Sequence, residues 1–173
     1  MKPEEEQTFR KKILALAATE IANYAKQFEP TQETPKTPER RRAAAPKSTP
    51  KFEDVHLRVF DVATNNEPII VLSAKAVPAL QNGKTVSDNA REYYVTVVAR
   101  ADYNNELRKL LSTVTDNQHL DVAPRLELID AVDADGDGRA ELLFRENTGA
   151  ESAFVVYRVT ADRLWALFDG APQ

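Results

Sequence analysis

The chain has 173 residues, of which 42% are hydrophobic and 29% charged, enough for one folded domain with an appendage. Its net charge of −4 is unevenly distributed: residues 1–50 carry ten Lys and Arg against seven Asp and Glu, whereas residues 51–173 carry thirteen against twenty. An acidic body argues against nucleic-acid binding, which needs positive charge to neutralise phosphates. The lack of cysteine excludes disulfides and thiolate metal sites. No stretch reaches the roughly 18–20 apolar residues of a membrane span.

Residues 1–29 predict an amphipathic helix, with its helical part over residues 4–28. Acidic residues at its start favour the positive end of the helix dipole, and Pro30 ends it. The apolar residues recur at spacings of three and four: Phe9, Ile13, Leu16, Ala17, Ile21, Tyr24 and Phe28. We expect this helix either to dock on the body of the protein or to pair with a second copy, giving a homo-oligomer.

Residues 30–51 predict a disordered linker rich in proline. Five prolines interrupt a background of Thr, Glu, Lys and Ala that shows no apolar periodicity. Such a segment cannot bury enough apolar surface to offset the entropy lost on ordering.

Residues 52–173 predict an all-β domain of about eight strands separated by turn signals. The stretch 105–115 also fits a helical face, but an internal repeat favours a strand there. The predicted strands cover residues 55–60, 68–77, 93–99, 107–114, 125–132, 141–145, 153–159 and 163–168.

The body contains one supersecondary unit twice, over residues 52–116 and 122–170. The loop that begins at Asp61 matches the loop that begins at Asp133, and an apolar strand follows each. The second halves match as well, with residues 97–100 against 155–158 and residues 107–111 against 164–168. We therefore expect two four-stranded meanders, arranged as a sandwich or as a partial propeller.

The second copy of the loop carries the strongest chemical signal in the chain. Carboxylates stand at loop positions 1, 3, 5 and 9, and two glycines permit the positive φ angles of a tight turn. A hard cation such as Ca²⁺ takes six to eight oxygen ligands, and crowded carboxylates repel one another without a counter-ion. The predicted ligands are Asp133, Asp135, Asp137, the main-chain carbonyl of Arg139, and Glu141.

The spacing of this loop excludes a helix–loop–helix calcium hand, which needs a Glu at position 12, where this chain has Phe144. The pattern over residues 129–144, with Leu142 after the acidic residue, resembles the calcium loop of the FG-GAP/VCBS repeats, the blades of integrin-α-type propellers. That resemblance implies a calcium ion held between two β-strands. In the first copy Ala63 replaces the second carboxylate and Pro68-Ile69 replaces the Ala-Glu step, so we expect one calcium ion per chain.

Candidate catalytic residues are few. His56 lies at an alternating position of a predicted strand, and His119 lies in a polar loop where we expect it to be solvated. Trp165 and Tyr157 could line a sugar site, although aromatic residues on strands more often belong to a core. We find no local motif that joins a nucleophile, a histidine and a carboxylate, so we expect no enzyme activity.

The sequence therefore predicts a calcium-stabilised, non-catalytic binding module whose partner is an unknown protein or glycan. A site of this kind suits the millimolar calcium outside cells, which favours the cell envelope or secretion. The acidic start of the chain does not fit a signal peptide, so a targeting segment would have to lie upstream; a cytoplasmic protein is the alternative. The alternative function is a small carbohydrate-active domain, lectin-like or hydrolytic.

Overall fold

A computed structural model of the chain describes residues 3–27, 50–77 and 91–170. It contains one helix and eight strands: α1 (Pro3–Gln27), β1 (Lys51–Phe60), β2 (Ile69–Val77), β3 (Tyr93–Ala101), β4 (Leu107–Asp116), β5 (Arg125–Val132), β6 (Glu141–Asn147), β7 (Ser152–Val159) and β8 (Leu164–Asp169). The prediction of an all-β fold with an N-terminal helix is confirmed. The stretch around residues 107–116 is a strand, as the internal repeat indicated. Most of the predicted linker, residues 30–49, lies outside the described residues, and its last residue, Lys51, begins β1.

The strands form two antiparallel four-stranded sheets, each a simple meander. The first sheet has the order β1-β2-β3-β4 and the second sheet the order β5-β6-β7-β8. One face of the first sheet packs against the second sheet around a core that includes Val71, Val98, Leu142 and Phe144. This is face-to-face packing of two sheets.

The opposite face of the first sheet is covered by α1. The apolar side of the helix packs on alternate residues of β2 and β3 through Phe9, Ile13, Ala17 and Ile21, all buried. The two expectations for the helix were docking on the body and pairing with a copy, and the structure shows docking. The apolar side of α1 is consequently covered within its own chain.

Polar contacts fix α1 along β4. Glu20 accepts hydrogen bonds from Lys109 Nζ at 2.7 Å and from Ser112 Oγ at 2.8 Å. Lys12 donates to Glu106 at 2.7 Å. Because the first sheet lies between α1 and the second sheet, both faces of β2 are buried, which explains its continuous apolar run Ile69–Leu72. No helix among the described residues is long and apolar enough to cross a membrane.

Candidate metal centre

The loop between β5 and β6 is wound around the carboxylate of Asp133. One oxygen of Asp133 accepts a hydrogen bond from the amide of Gly136 at 2.7 Å, and the other accepts from the amide of Gly138 at 3.1 Å. Both glycines have positive φ, +77° and +81°, a conformation that is costly for residues with a Cβ atom. The two glycines therefore turn the backbone so that its N–H groups point inward at one carboxylate.

Three of the predicted ligands converge in this loop. One carboxylate oxygen from each of Asp133, Asp135 and Glu141 lies within 4.8 Å of the others. Asp133 and Asp135 are exposed, whereas Glu141, the first residue of β6, is fully buried. Glu141 Oε2 accepts a hydrogen bond from the amide of Ala134 at 3.0 Å, which holds the carboxylate under the loop. An all-oxygen set of this kind suits a hard divalent cation.

A fourth predicted ligand, Asp137, is placed differently. Asp137 is outside the group of three, and one of its oxygens accepts a hydrogen bond from the amide of Arg139 at 2.9 Å. This bond closes the last turn of the loop before β6. The role predicted for the carbonyl of Arg139 stays a prediction.

The sequence reasoning missed one residue of this centre, Arg158 near the end of β7. Its Nε donates to Glu141 Oε1 at 3.2 Å, and its Nη2 donates to Asp135 and lies 3.4 Å from Asp137. The hydrogen bond to Asp135, followed by that to Glu141, raises the pKa of Arg158. The guanidinium supplies positive charge to the carboxylates, so their crowding does not by itself require a metal ion. Arg158 directly follows Tyr157, the partner of Leu142 in the register of β6 and β7.

The matching loop of the first copy keeps the same pattern of positive φ angles, although a different pair of amides binds its first aspartate. Asp61 accepts hydrogen bonds from the amides of Asn65 at 3.1 Å and Asn66 at 3.2 Å. Positive φ angles occur at Thr64 (+51°) and Asn66 (+60°), three and five residues after the Asp, as in the second loop. These shared features make Asp61 the counterpart of Asp133, and the duplication is visible in the geometry of the two loops.

Three of the four metal-loop carboxylates have no carboxylate counterpart in the first loop, where Asn65 takes the place of Asp137. Ala63 stands where the second copy has Asp135, and the buried Ile69 stands where it has Glu141. The arginine is retained, because Arg100 pairs with Ile69 in the β2–β3 register and donates to Glu67 at 3.1 Å. The first loop thus offers an arginine with Asp61 and Glu67, whereas the second offers an arginine with four carboxylates.

The two histidines lie apart from this loop. His119, expected to be solvated, instead places its Nδ1 2.7 Å from a carboxylate oxygen of the fully buried Asp116, so that expectation is wrong. The contact anchors the turn after β4. His56 lines an open cleft of about 260 Å³ between the edges of the two sheets, beside the ion-paired Arg58 and Arg125.

The two aromatic residues considered for a sugar site lie on opposite faces of the second sheet. Tyr157 packs edge-on against Phe144, 5.9 Å between ring centroids, in the core between the sheets. Trp165 is exposed and lies opposite Arg158 in the β7–β8 register. Tyr157 and Trp165 therefore do not line one site.

Comparisons with known proteins place the chain in no family. No family model matches it, and no solved structure matches it. Over 95 residues, 55% of this chain, it is 33% identical to the RNA polymerase-associated protein RapA of Photobacterium profundum. The match spans 10% of the length of that protein.

Proposed function

We propose that the protein is a calcium-stabilised, non-catalytic interaction module. The observation that carries this proposal is the convergence of Asp133, Asp135 and Glu141 within 4.8 Å of one another on a wound loop. Two oxygens bound to one Ca²⁺ at 2.3–2.6 Å can be at most about 5 Å apart. One ion can therefore contact all three carboxylates without rearrangement of the loop backbone.

Calcium at this position would stabilise the junction between the two repeated units. The last loop residue before β6, Ala140, donates its amide hydrogen to the carbonyl of Val62 in the first loop, 2.9 Å away. The loop also orients Glu141 at the start of β6, which is paired with both β5 and β7. An ion that orders this loop therefore acts on the packing of the sheets as well as on the loop.

Arg158 limits calcium binding, because an ion has to replace it at the loop carboxylates. Its guanidinium contacts Asp135 and Glu141, two of the three carboxylates that an ion would use. Under this proposal calcium and Arg158 compete for the same two carboxylates, and the loop has an arginine-bound state and a calcium-bound state. This competition lowers calcium affinity and suits a millimolar-calcium environment, the cell envelope or the exterior.

The test is calcium binding by calorimetry together with thermal unfolding in calcium and in EGTA. Since binding to the folded state stabilises it by mass action, calcium at about 100 times its dissociation constant should contribute about 2.7 kcal/mol. Asp133→Asn should abolish the gain, whereas Asp61→Asn, the matched change in the first loop, should preserve it. Superimposed melting curves in calcium and EGTA would refute the proposal, as would an unchanged gain in Asp133→Asn.

A second candidate partner rests on the 95-residue similarity to an RNA polymerase-associated protein. In this alternative the module acts in the cytoplasm and binds RNA polymerase. Surface plasmon resonance with purified bacterial RNA polymerase tests it directly. Saturable binding would favour the cytoplasmic partner, and a dissociation constant for calcium of about 10⁻⁴–10⁻³ M with no polymerase binding would favour the envelope or secreted protein.

A further inference from the structure

Arg100 of the first sheet reaches across to the second sheet at a point close to the metal loop. It stands near the end of β3, and its Nη2 donates a hydrogen bond to the main-chain carbonyl of Thr160 at 2.7 Å. Thr160 directly follows β7 and lies two residues after Arg158, which contacts the loop carboxylates. Arg100 therefore holds the part of the backbone that carries Arg158.

The end of β7 lies beyond the register that joins this strand to β6. The last residue pair of that register is Leu142 with Tyr157, and the next residues of β7, Arg158 and Val159, are paired with β8. β8 is an edge strand of the second sheet, and the strands of the first sheet lie closest to β5 at the other edge. Strand ends at a sheet edge open locally more easily than the interior of a sheet. The hydrogen bond from Arg100 restrains this end.

The first loop orients the guanidinium of Arg100. Glu67 Oε2 accepts a hydrogen bond from Arg100 Nη1 at 3.1 Å and another from the side-chain amide of Asn65 at 3.0 Å. Asn65 is itself fixed, because its main-chain amide donates to Asp61 at 3.1 Å. A guanidinium donates in a rigid planar geometry, so the carboxylate on Nη1 also directs Nη2. The contacts thus run from the first loop through Arg100 to the end of β7.

This arrangement gives the first loop a role, although it lacks most of the carboxylates of the metal loop. In the second copy the arginine contacts Glu141, and the counterpart of Glu141 in the first copy is Ile69. The side chain of Ile69 cannot accept a hydrogen bond. Arg100 instead joins Glu67 of its own copy to Thr160 of the other copy.

We infer that Arg100 is a positioning residue for Arg158. By holding the end of β7, it keeps the guanidinium of Arg158 on Asp135 and Glu141. The first loop, wound on Asp61, is then the support of the metal loop, and the two copies of the unit have divided these roles. The consequence for calcium rests on the proposed function: loss of Arg100 weakens the competition from Arg158 and raises calcium affinity.

A double-mutant cycle in EGTA tests the inference. Arg100→Gln and Arg158→Gln are measured singly and together by urea denaturation of the full chain. Residues that act through one another give non-additive losses, so the second change should cost at least about threefold less in the unfolding equilibrium constant when the first is already present. Lys75→Gln is the matched control, because Lys75 pairs with Glu92 at 2.7 Å beside the same sheet. Its loss should add to that of Arg158→Gln.

The Nε–H group of Arg158 gives a second, spectroscopic readout. It donates to Glu141 at 3.2 Å, and its signal in a ¹⁵N–¹H NMR spectrum is assigned by its loss in Arg158→Gln. Arg100→Gln should move this signal toward the position of a solvent-exposed arginine. Glu67→Gln changes a half-exposed residue and leaves Arg100 in place, and it should move the signal in the same direction by a smaller amount.

Additive losses in the cycle, or an unshifted Arg158 signal in Arg100→Gln, would overturn the inference. Calorimetry with calcium adds the link to the proposed function. Arg100→Gln should raise calcium affinity by less than Arg158→Gln does, and it should add nothing to that variant. A wild-type protein that binds no calcium would refute the proposed function alone, because the cycle and the spectra are recorded in EGTA.

Discussion

Arg158 lies against Glu141 at the end of the second sheet, with 3.2 Å between Nε and Oε1. A buried carboxylate is costly unless it is paired and hydrogen-bonded, and Glu141 obtains both from Arg158 and from the amide of Ala134. Arg158 is part of the chain and can pair with Glu141 at any calcium concentration, whereas a calcium ion can do so only when calcium is present in solution. Arg158 therefore stabilises the loop without a metal ion, and under the proposed function it competes with calcium for these carboxylates.

The first prediction follows from this competition. Arg158→Gln should raise calcium affinity on the order of five- to tenfold, the lower end of typical couplings between two linked binding events. The same change should lower the melting temperature in EGTA, because Glu141 then loses its charged partner. Calorimetry and thermal unfolding measure the two effects.

Arg145→Gln is the matched control for Arg158→Gln. Arg145 lies on β6 and pairs with Glu127 at 2.7 Å, so it carries the same charge near the metal loop without contact to it. Calcium affinity should be unchanged in this variant. If Arg158→Gln weakened calcium binding, the arginine would support the ion instead of competing with it.

The second prediction concerns the docked helix. Ile13 is fully buried between α1 and the first sheet. Ile13→Ala should lower the free energy of unfolding by about 2–5 kcal/mol, because it removes buried apolar atoms and leaves a cavity. Urea denaturation measures the loss, and Lys11→Ala on the exposed side of α1 is the control. Equal stabilities of the two variants would show that α1 is not docked in solution.

The third prediction concerns Gly138 in the second loop and its counterpart Asn66 in the first loop. A Cβ atom at Gly138 would meet no atom within 4 Å, so Gly138→Ala causes strain at φ +81° without a steric clash. We expect a loss of about 1–2 kcal/mol. Asn66 holds the matching position of the first loop at φ +60°, and Asn66→Ala should be costly for the same reason. Only Gly138→Ala should also weaken calcium binding. Equal calcium affinities in the two variants would show that calcium does not bind at the loop that contains Gly138.

Much of the fold could be predicted from local patterns. Alternation and turn residues indicated the eight strands, and the repeat resolved the ambiguous stretch after Asn105. The loop carboxylates could be predicted because they follow one another in sequence. Arg158 could not, because its contact with Glu141 depends on the register of two strands. The exposure of Leu167 could not be predicted either, because Leu110 and Leu167 occupy matching bulges of the two sheets and differ in what covers them.

The fourth prediction is a pH dependence at the far end of the second sheet. Burial, followed by repulsion from Asp169, raises the pKa of Glu146 above its usual value. The folded state therefore binds this proton more tightly than the unfolded state, and the protein loses stability as the pH rises from about 4.3 through the raised pKa. Glu146→Gln removes the ionisation, so the variant should be more stable than the wild type at neutral pH and not at pH 4.

Glu127→Gln should behave in the opposite way and serves as the comparison. Burial acts to raise the pKa of Glu127, but hydrogen bonding to Arg145 and the charge of Arg125 outweigh it and lower the pKa. The ionised form therefore stabilises the fold above about pH 4.3, and this contribution is lost as the pH falls through the lowered pKa. Urea denaturation at pH 4 and pH 7 should show Glu146→Gln gaining and Glu127→Gln losing stability on going to the higher pH, each relative to the wild type. If both variants gained or both lost stability relative to the wild type on going from pH 4 to pH 7, the opposite pKa shifts of Glu146 and Glu127 would be contradicted.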